Sequence, residues 1–160
     1  MSRRALWALP LLALGAGVLV FALARSDDGG QALTKSQYEQ KVQSAYAEVQ
    51  EAFRSTNVRS MQELAARVAD AQAQLRSAAS TLDEIQPPGA VEKQNDQLVA
   101  GMREYADDLD ELRRAAESGD AEAVSLFNAG IPQNAAVRKI AEAAEEMTRE
   151  GYDLGRIAEE

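Results

Sequence analysis

The sequence predicts an all-α protein, an up-down antiparallel four-helix bundle with one short extra helix, preceded by an N-terminal apolar helix. Apolar residues recur at steps of three and four along four segments, which places them on one face of an α-helix. The connections between these segments are short and rich in Gly, Pro, Ser and Asp, which makes neighbouring helices antiparallel. No segment sustains the alternation of a β-strand.

Residues 1–25 predict either a transmembrane anchor or a signal peptide. Two arginines near the start precede an uncharged apolar run, residues 5–24, which at about 1.5 Å per residue spans the roughly 30 Å core of a bilayer. The basic start is typical of the cytoplasmic side, so the body is expected on the extracytoplasmic face of the cytoplasmic membrane. Ala22-Leu23-Ala24 also has the pattern of a signal-peptidase site, and cleavage after Ala24 would make the body a secreted protein.

Residues 26–33 predict a flexible linker, and residues 34–160 predict the extracytoplasmic helical bundle. The first helix of the bundle is expected to begin after Thr34, which forms a capping box with Gln37. Its apolar stripe runs from residue 38 to residue 53 and ends before three residues that prefer caps and turns.

Two long helices are predicted on either side of Gln86-Pro87-Pro88-Gly89. Ser60 and Glu63 predict a capping box at the start of the second helix, whose stripe extends to Ile85. A proline ring removes a backbone donor and clashes with the preceding turn, so neither helix can continue through this segment. The stripe resumes over residues 91–116, and we expect the two helices to fold back on each other as an antiparallel hairpin.

The C-terminal third predicts a short helix and a last long one. Gly119 suits the left-handed position after a helix end, and Asp120 can cap a short helix from Ala121 to about Asn128. Pro132 is expected in the first turn of the last helix. The stripe of that helix runs over residues 137–154, with glycines at 151 and 155 inside it.

The composition excludes several classes of function. Cys and His are both absent, which rules out disulfides, thiolate or imidazole metal sites, haem attachment and a thiol nucleophile. No serine–base pair, phosphate-binding loop or nucleotide motif is present, so we expect neither an enzyme nor a cofactor. An enzyme would need a carboxylate such as Glu84 or Asp153 in a cleft with a raised pKa.

The charge balance excludes nucleic acid as a partner. The whole chain carries a formal charge of −9. Three of the 17 basic residues and none of the 26 acidic residues precede Ser26, so the remainder carries 14 basic against 26 acidic residues. Such a surface repels nucleic acid and anionic lipid.

The densest acidic cluster lies on the third helix. Glu104, Asp108 and Glu111 share one helical face, where a hard cation could find oxygen ligands. The cluster lacks the glycine-containing loop with which an EF-hand surrounds calcium, and arginines lie close by. A solvated face paired with those arginines is the favoured interpretation, and these residues stay weak metal candidates.

Asn95 occupies a position where the apolar stripe calls for a hydrophobic residue. Three interpretations are open. A buried amide can set the register between helices, as single asparagines do in coiled coils. The side chain could instead line a small ligand cavity. The favoured interpretation places it at the solvated end of the bundle, close to the Pro-Pro turn.

The layout resembles a group of uncharacterised secreted or membrane-anchored helical proteins of high-GC bacteria. The resemblance is carried by the basic and apolar start, the helix ending in the segment 82–88, the turn at residues 118–120 and the Gly151-Tyr152 pair. It covers most of the body and implies no known activity. Members often carry a lipoprotein cysteine and a His near the position of Asn95, and this chain has neither.

The first functional hypothesis is a non-enzymatic module of the cell envelope, tethered to the membrane through residues 5–24, that acts through contacts with an unidentified protein partner. The alternative is an extracytoplasmic bundle that binds a ligand or a divalent cation, at the Asn95 end or at the acidic face around Asp108. Regular stripes could also pair between chains in a coiled coil, so a homo-oligomer stays open.

Overall fold

The computed structural model describes residues 32–54 and 58–155, and every regular element in these ranges is helical. The elements are α1 (Lys35–Phe53), α2 (Met61–Asp83), a 3-10 turn (Gly89–Val91), α3 (Glu92–Ser118), α4 (Ala121–Gly130), a 3-10 turn (Ile131–Gln133) and α5 (Ala135–Arg149). The predicted all-α class is therefore confirmed for this part of the chain. The predicted anchor or signal peptide, residues 1–25, lies outside it. None of the helices within the described ranges is long and apolar enough to span a bilayer.

The helix ends follow the local signals of the sequence in most places. The predicted capping box at α1 is present, with the Thr34 and Gln37 side chains each accepting from the other residue's backbone N–H. At α2, the Ser60 hydroxyl accepts from the backbone N–H of Glu63, but the Glu63 carboxylate accepts from Arg59 N–H at 2.9 Å, one residue earlier than a capping box requires. Gly119 adopts the predicted left-handed conformation with φ +74°.

Hydrogen-bonded pairs show how the long helices lie against each other. As residue numbers rise along α2, the numbers of their hydrogen-bond partners on α3 fall, so the two helices are antiparallel. The same holds between α3 and α5. The pairs are Gln72–Asp110, Arg76–Asp107 and Asp83–Arg103 for α2 and α3, and Gln94–Glu146, Glu104–Lys139 and Asp108–Asn134 for α3 and α5. The helix α3 therefore lies between α2 and α5 and contributes to both contacts.

Helices α3 and α5 approach closely at Gly101. A β-carbon added to this residue would lie 2.8 Å from Ile140 Cγ1 and 3.2 Å from the backbone oxygen of Ala136. Real β-carbons do not come this close to a neighbouring heavy atom, so glycine is required for the observed separation of the two helices.

The sequence prediction was wrong about both ends of the last helix. Asn134 caps α5 by accepting from the N–H of Val137, and Pro132 lies in the 3-10 turn before it rather than in its first turn. The helix ends at Arg149, and Gly151 has φ +84°, which turns the chain out of the helix. Residues 151–155 therefore do not continue the helix α5, although their apolar residues fit its period.

Residues 151–155 pack back onto α1 instead. Lys35 Nζ donates to the Gly151 carbonyl at 2.5 Å, and Gln43 Nε2 donates to the Asp153 carbonyl at 2.8 Å. The backbone N–H of Asp153 donates to Glu39 Oε1 at 2.8 Å. This docking buries two apolar side chains of the segment, Tyr152 and Leu154, in the core.

Candidate functional site

Asn95 is buried, with 3% of its surface exposed, and each of its two polar side-chain atoms forms a hydrogen bond. Its Oδ1 accepts from the Tyr38 hydroxyl at 2.9 Å, and its Nδ2 donates to the carbonyl of Leu82 at 3.1 Å. The interpretation that placed Asn95 at a solvated bundle end was therefore wrong. The reason is that the buried side chain of Tyr38 on α1 reaches Asn95 through its hydroxyl, and Tyr152 packs edge-on against the Tyr38 ring at 5.9 Å between centroids.

The Asn95 amide links three parts of the fold. Leu82 lies in the last turn of α2, where backbone carbonyls have no partner inside their own helix. Asn95 satisfies this carbonyl from α3 while it holds the hydroxyl of Tyr38 on α1. Burial raises the pKa of Tyr38, with a further contribution from Tyr152, so the hydroxyl stays a donor throughout the physiological range.

The acidic residues Glu104, Asp108 and Glu111 do not converge on a common point. Glu104 pairs with Lys139 at 2.5 Å, and Asp108 Oδ2 accepts from the Asn134 amide at 2.8 Å. Glu111 is exposed. Within residues 32–54 and 58–155, no group of three acidic side chains is arranged to hold a metal ion. Glu104 and Asp108 instead connect α3 to the first half of α5 and its cap, and Glu111 faces solvent.

Glu84 and Asp153, the carboxylates considered for catalysis, lie apart on the surface. Glu84 follows the end of α2 and is exposed. The Asp153 carboxylate accepts from the backbone N–H of Gly155 at 2.9 Å, which stabilises the C-terminal turn. Neither carboxylate lines the cavity described below.

A cavity of about 310 Å³ lies in the other half of the bundle and is the candidate site. Residues of α1, α2, α3, α4 and α5 surround it, and most of them are apolar. They include Phe53, Val68, Ala71, Leu109, Ile131 and Ile140. Ligand sites typically occupy about 300–1,000 Å³ and have such a lining, with a few polar groups that orient the ligand.

The cavity runs from the protein surface into the core. Ala71 and Leu109 on its wall are each 2% exposed, whereas Arg67 in the same lining is exposed to solvent. Gln50 and Asn128 are half-buried members of the lining and add amide groups. A molecule in this cavity would therefore meet an apolar wall inside and hydrophilic groups at the protein surface.

Tyr105 is the polar side chain of α3 in this lining. Its ring stacks on Phe53 with 6.5 Å between centroids. Burial, and secondarily the carboxylate of Asp108, raises the pKa of Tyr105 to about 12. The hydroxyl is therefore neutral near pH 7 and can donate a hydrogen bond to a ligand.

The sequence indicated the residues of the apolar wall only as members of the apolar helix faces, and it did not indicate that these faces enclose a cavity. Tyr46 and Phe53 widen the stripe of α1 beyond the narrow face needed to pack one neighbour. That widening is the one local signal that pointed to this half of the bundle. The ligand hypothesis drawn from the sequence named the Asn95 end or the acidic face around Asp108 instead, and neither Asn95 nor Asp108 lines this cavity.

A second and more open groove of about 520 Å³ lies on the outer surface of α2 and α3. Ala66 and Ala69 form part of its floor, and Arg113 and Glu117 form part of its edge. Arg113 already pairs with Asp110 at 3.1 Å and with Glu117 at 2.6 Å. Since these charges satisfy each other, the groove offers no group that needs a ligand.

No protein-family model, curated protein or solved structure matches this chain.

Proposed function

We propose that this protein is a non-enzymatic helical bundle that binds a small apolar molecule in the 310 Å³ cavity. In this proposal the bundle is held on the extracytoplasmic side of the membrane by residues 5–24, or is secreted after cleavage following Ala24. The four long helices form an up-and-down bundle, a topology supported by the opposite directions of the α2–α3 and α3–α5 pairs.

The observation that carries the proposal is an apolar cavity inside a well-packed core. Protein interiors contain few voids larger than a water molecule. At roughly 24 cal/mol per Å³, a closed and empty void of 310 Å³ would cost about 7 kcal/mol, comparable to the whole stability of a domain. The cavity is partly open to solvent, which lowers this cost, but the apolar wall still gains stability when an apolar ligand replaces water.

The hypothesis of a module that acts through protein contacts stays a prediction and ranks second. Within the described residues, Leu126 is the one large hydrophobic side chain that is strongly exposed, at 68%. Single exposed apolar residues are common on monomeric proteins, whereas interaction sites usually present a contiguous patch. The apolar stripes that could pair between chains are buried within this chain, as Leu98 and Leu109 illustrate.

Photoaffinity labelling of the full-length protein in lipid nanodiscs tests the proposal. The probe is a decanol derivative that carries a diazirine on its alkyl chain, and labelled residues are located by mass spectrometry. We expect labels on the cavity walls, on residues 46–53 of α1 and residues 102–112 of α3. The site-resolved readout separates binding in the cavity from dissolution of the probe in lipid.

Two substitutions that fill the cavity provide the decisive comparison. Ala71→Leu and Ala52→Leu each place additional carbons in the cavity, and we expect each to lower labelling of its walls at least several-fold. The matched control is Ala66→Leu, the same change on the exposed side of α2, which should leave labelling unchanged. Absence of wall labelling, or equal labelling in the filled variants while circular dichroism shows that they are folded, would overturn the proposal.

A further inference from the structure

We propose that the cavity binds an apolar molecule that carries one carboxylate, the class of a medium-chain fatty acid, and that this carboxylate pairs with the guanidinium of Arg67. The inference rests on the proposed function and adds the chemistry of the head group. Its central observation is that Arg67 is the only residue charged at neutral pH in the lining formed by the described part of the chain.

The sign of this charge is opposite to that of the chain as a whole. The protein has 26 acidic against 17 basic residues, yet no Asp or Glu contributes to the described lining. A cationic ligand would therefore enter without a counter-ion, at the cost of its hydration. An anionic ligand meets a guanidinium, whose planar donors fit the two oxygens of a carboxylate.

Arg67 is also available for a ligand. Arginines elsewhere on α2 and α3 are engaged, Arg76 with Asp107 at 3.0 Å and Arg103 with Asp83 at 2.8 Å. Arg67 forms no ion pair and no side-chain hydrogen bond with any residue in the ranges 32–54 and 58–155. Because it is exposed, it keeps its hydration until a ligand arrives.

The other polar groups of the lining are compatible with an anion. Tyr105 is neutral near pH 7, for the reason given above, and can donate a hydrogen bond. Gln50 and Asn128 each supply amide donors. The lining therefore combines an apolar interior with donors and one cation, the arrangement expected for an amphipathic carboxylate.

The test measures how well decanoate, decanol and decylamine compete with the decanol photoprobe for the cavity walls in the full-length protein. The three competitors share an alkyl chain and differ only in their head group. The measured quantity is the ratio of the decanoate and decanol affinities. We expect Arg67→Gln to lower this ratio about fivefold, the upper end for a solvent-exposed ion pair, and Arg67→Lys to retain part of it.

The matched control is Arg138→Gln. Arg138 is likewise exposed and unpaired among the described residues, but it does not line the cavity, so the ratio should stay at the value of the unmodified protein. The effect of Arg67→Gln should also shrink as salt concentration rises.

Two other results have distinct meanings. If the probe labels the cavity walls but Arg67→Gln leaves the ratio unchanged, or decylamine competes best, the inference about the carboxylate is wrong and the apolar site stands. If the neutral probe does not label the walls at all, the proposed function fails and this inference fails with it.

Discussion

Replacement of Tyr38 by Phe removes a buried hydroxyl that donates to Asn95 Oδ1 at 2.9 Å. The ring remains, so the packing of the core changes little, but the Asn95 oxygen loses its donor inside the protein. An unpaired buried acceptor costs about 1–3 kcal/mol. We expect Tyr38→Phe to lower the free energy of unfolding by roughly this amount.

Asn95→Ala should cost more than Tyr38→Phe because it breaks two hydrogen bonds. It leaves the Leu82 carbonyl without its side-chain donor, leaves the Tyr38 hydroxyl only the weaker acceptor Met147 Sδ at 3.5 Å, and opens a small void. We expect a loss of about 2–4 kcal/mol. The double variant should lose less than the sum of the single variants, by about 0.5–3 kcal/mol, because both changes remove the same Tyr38–Asn95 bond.

Urea unfolding of the full-length protein in mild detergent, followed by far-ultraviolet circular dichroism, measures these differences. The matched control is Tyr152→Phe. The Tyr152 ring touches the Tyr38 ring, but its hydroxyl makes no hydrogen bond to a described residue, so we expect a change within about 0.5 kcal/mol. The reasoning is refuted if the effects of Tyr38→Phe and Asn95→Ala add within about 0.5 kcal/mol, or if Tyr152→Phe costs as much as Tyr38→Phe.

Two further predictions concern helix packing and alkaline pH. Gly101→Ala should lower the melting temperature, because a clash of about 1–3 kcal/mol between α3 and α5 outweighs a gain of about 1 kcal/mol in helix propensity. Gly130→Ala should raise the melting temperature, because the added carbon meets open space and φ is −82°. If thermal unfolding showed that both substitutions shift the melting temperature in the same direction, this account would be contradicted. The neutral form of Tyr105 is favoured in the folded protein, so its contribution to stability is complete below pH 10 and is lost as pH rises to about 12. Tyr105→Phe should therefore reduce the alkaline loss of stability in urea titrations by roughly 1–3 kcal/mol, and an unchanged loss would show that Tyr105 does not titrate in this way.

The candidate cavity could not be predicted from the sequence, although each residue of its apolar wall could be assigned to a helix stripe. A stripe shows which side chains point inward, but not whether they meet those of the facing helices or leave a gap. That outcome depends on the distances between helices, which at Gly101 are set by atoms of Ile140 and Ala136 far along the chain. The significance of Arg67 likewise appears only once its apolar neighbours are known, together with its lack of an acidic partner among the residues that the structure describes.

The sequence alone determined the helical class, the hairpin at the two prolines and most helix ends. These features depend on interactions between residues no more than four positions apart, such as the Thr34–Gln37 cap, and on local backbone preferences, such as the left-handed Gly119. Local patterns failed where distant residues compete. Tyr152 and Leu154 match the period of α5, yet they reach the core because Gly151 turns the chain onto α1.

Tertiary structure alone decided that Asn95 is buried, since its hydroxyl partner is 57 residues away in the chain. It also decided that Glu104 pairs with Lys139 and Asp108 with Asn134, instead of both carboxylates converging on a metal ion. The physical reason is the same in each case. A polar side chain takes the partner that packing brings within hydrogen-bonding distance, and periodicity in the sequence contains no information about that distance.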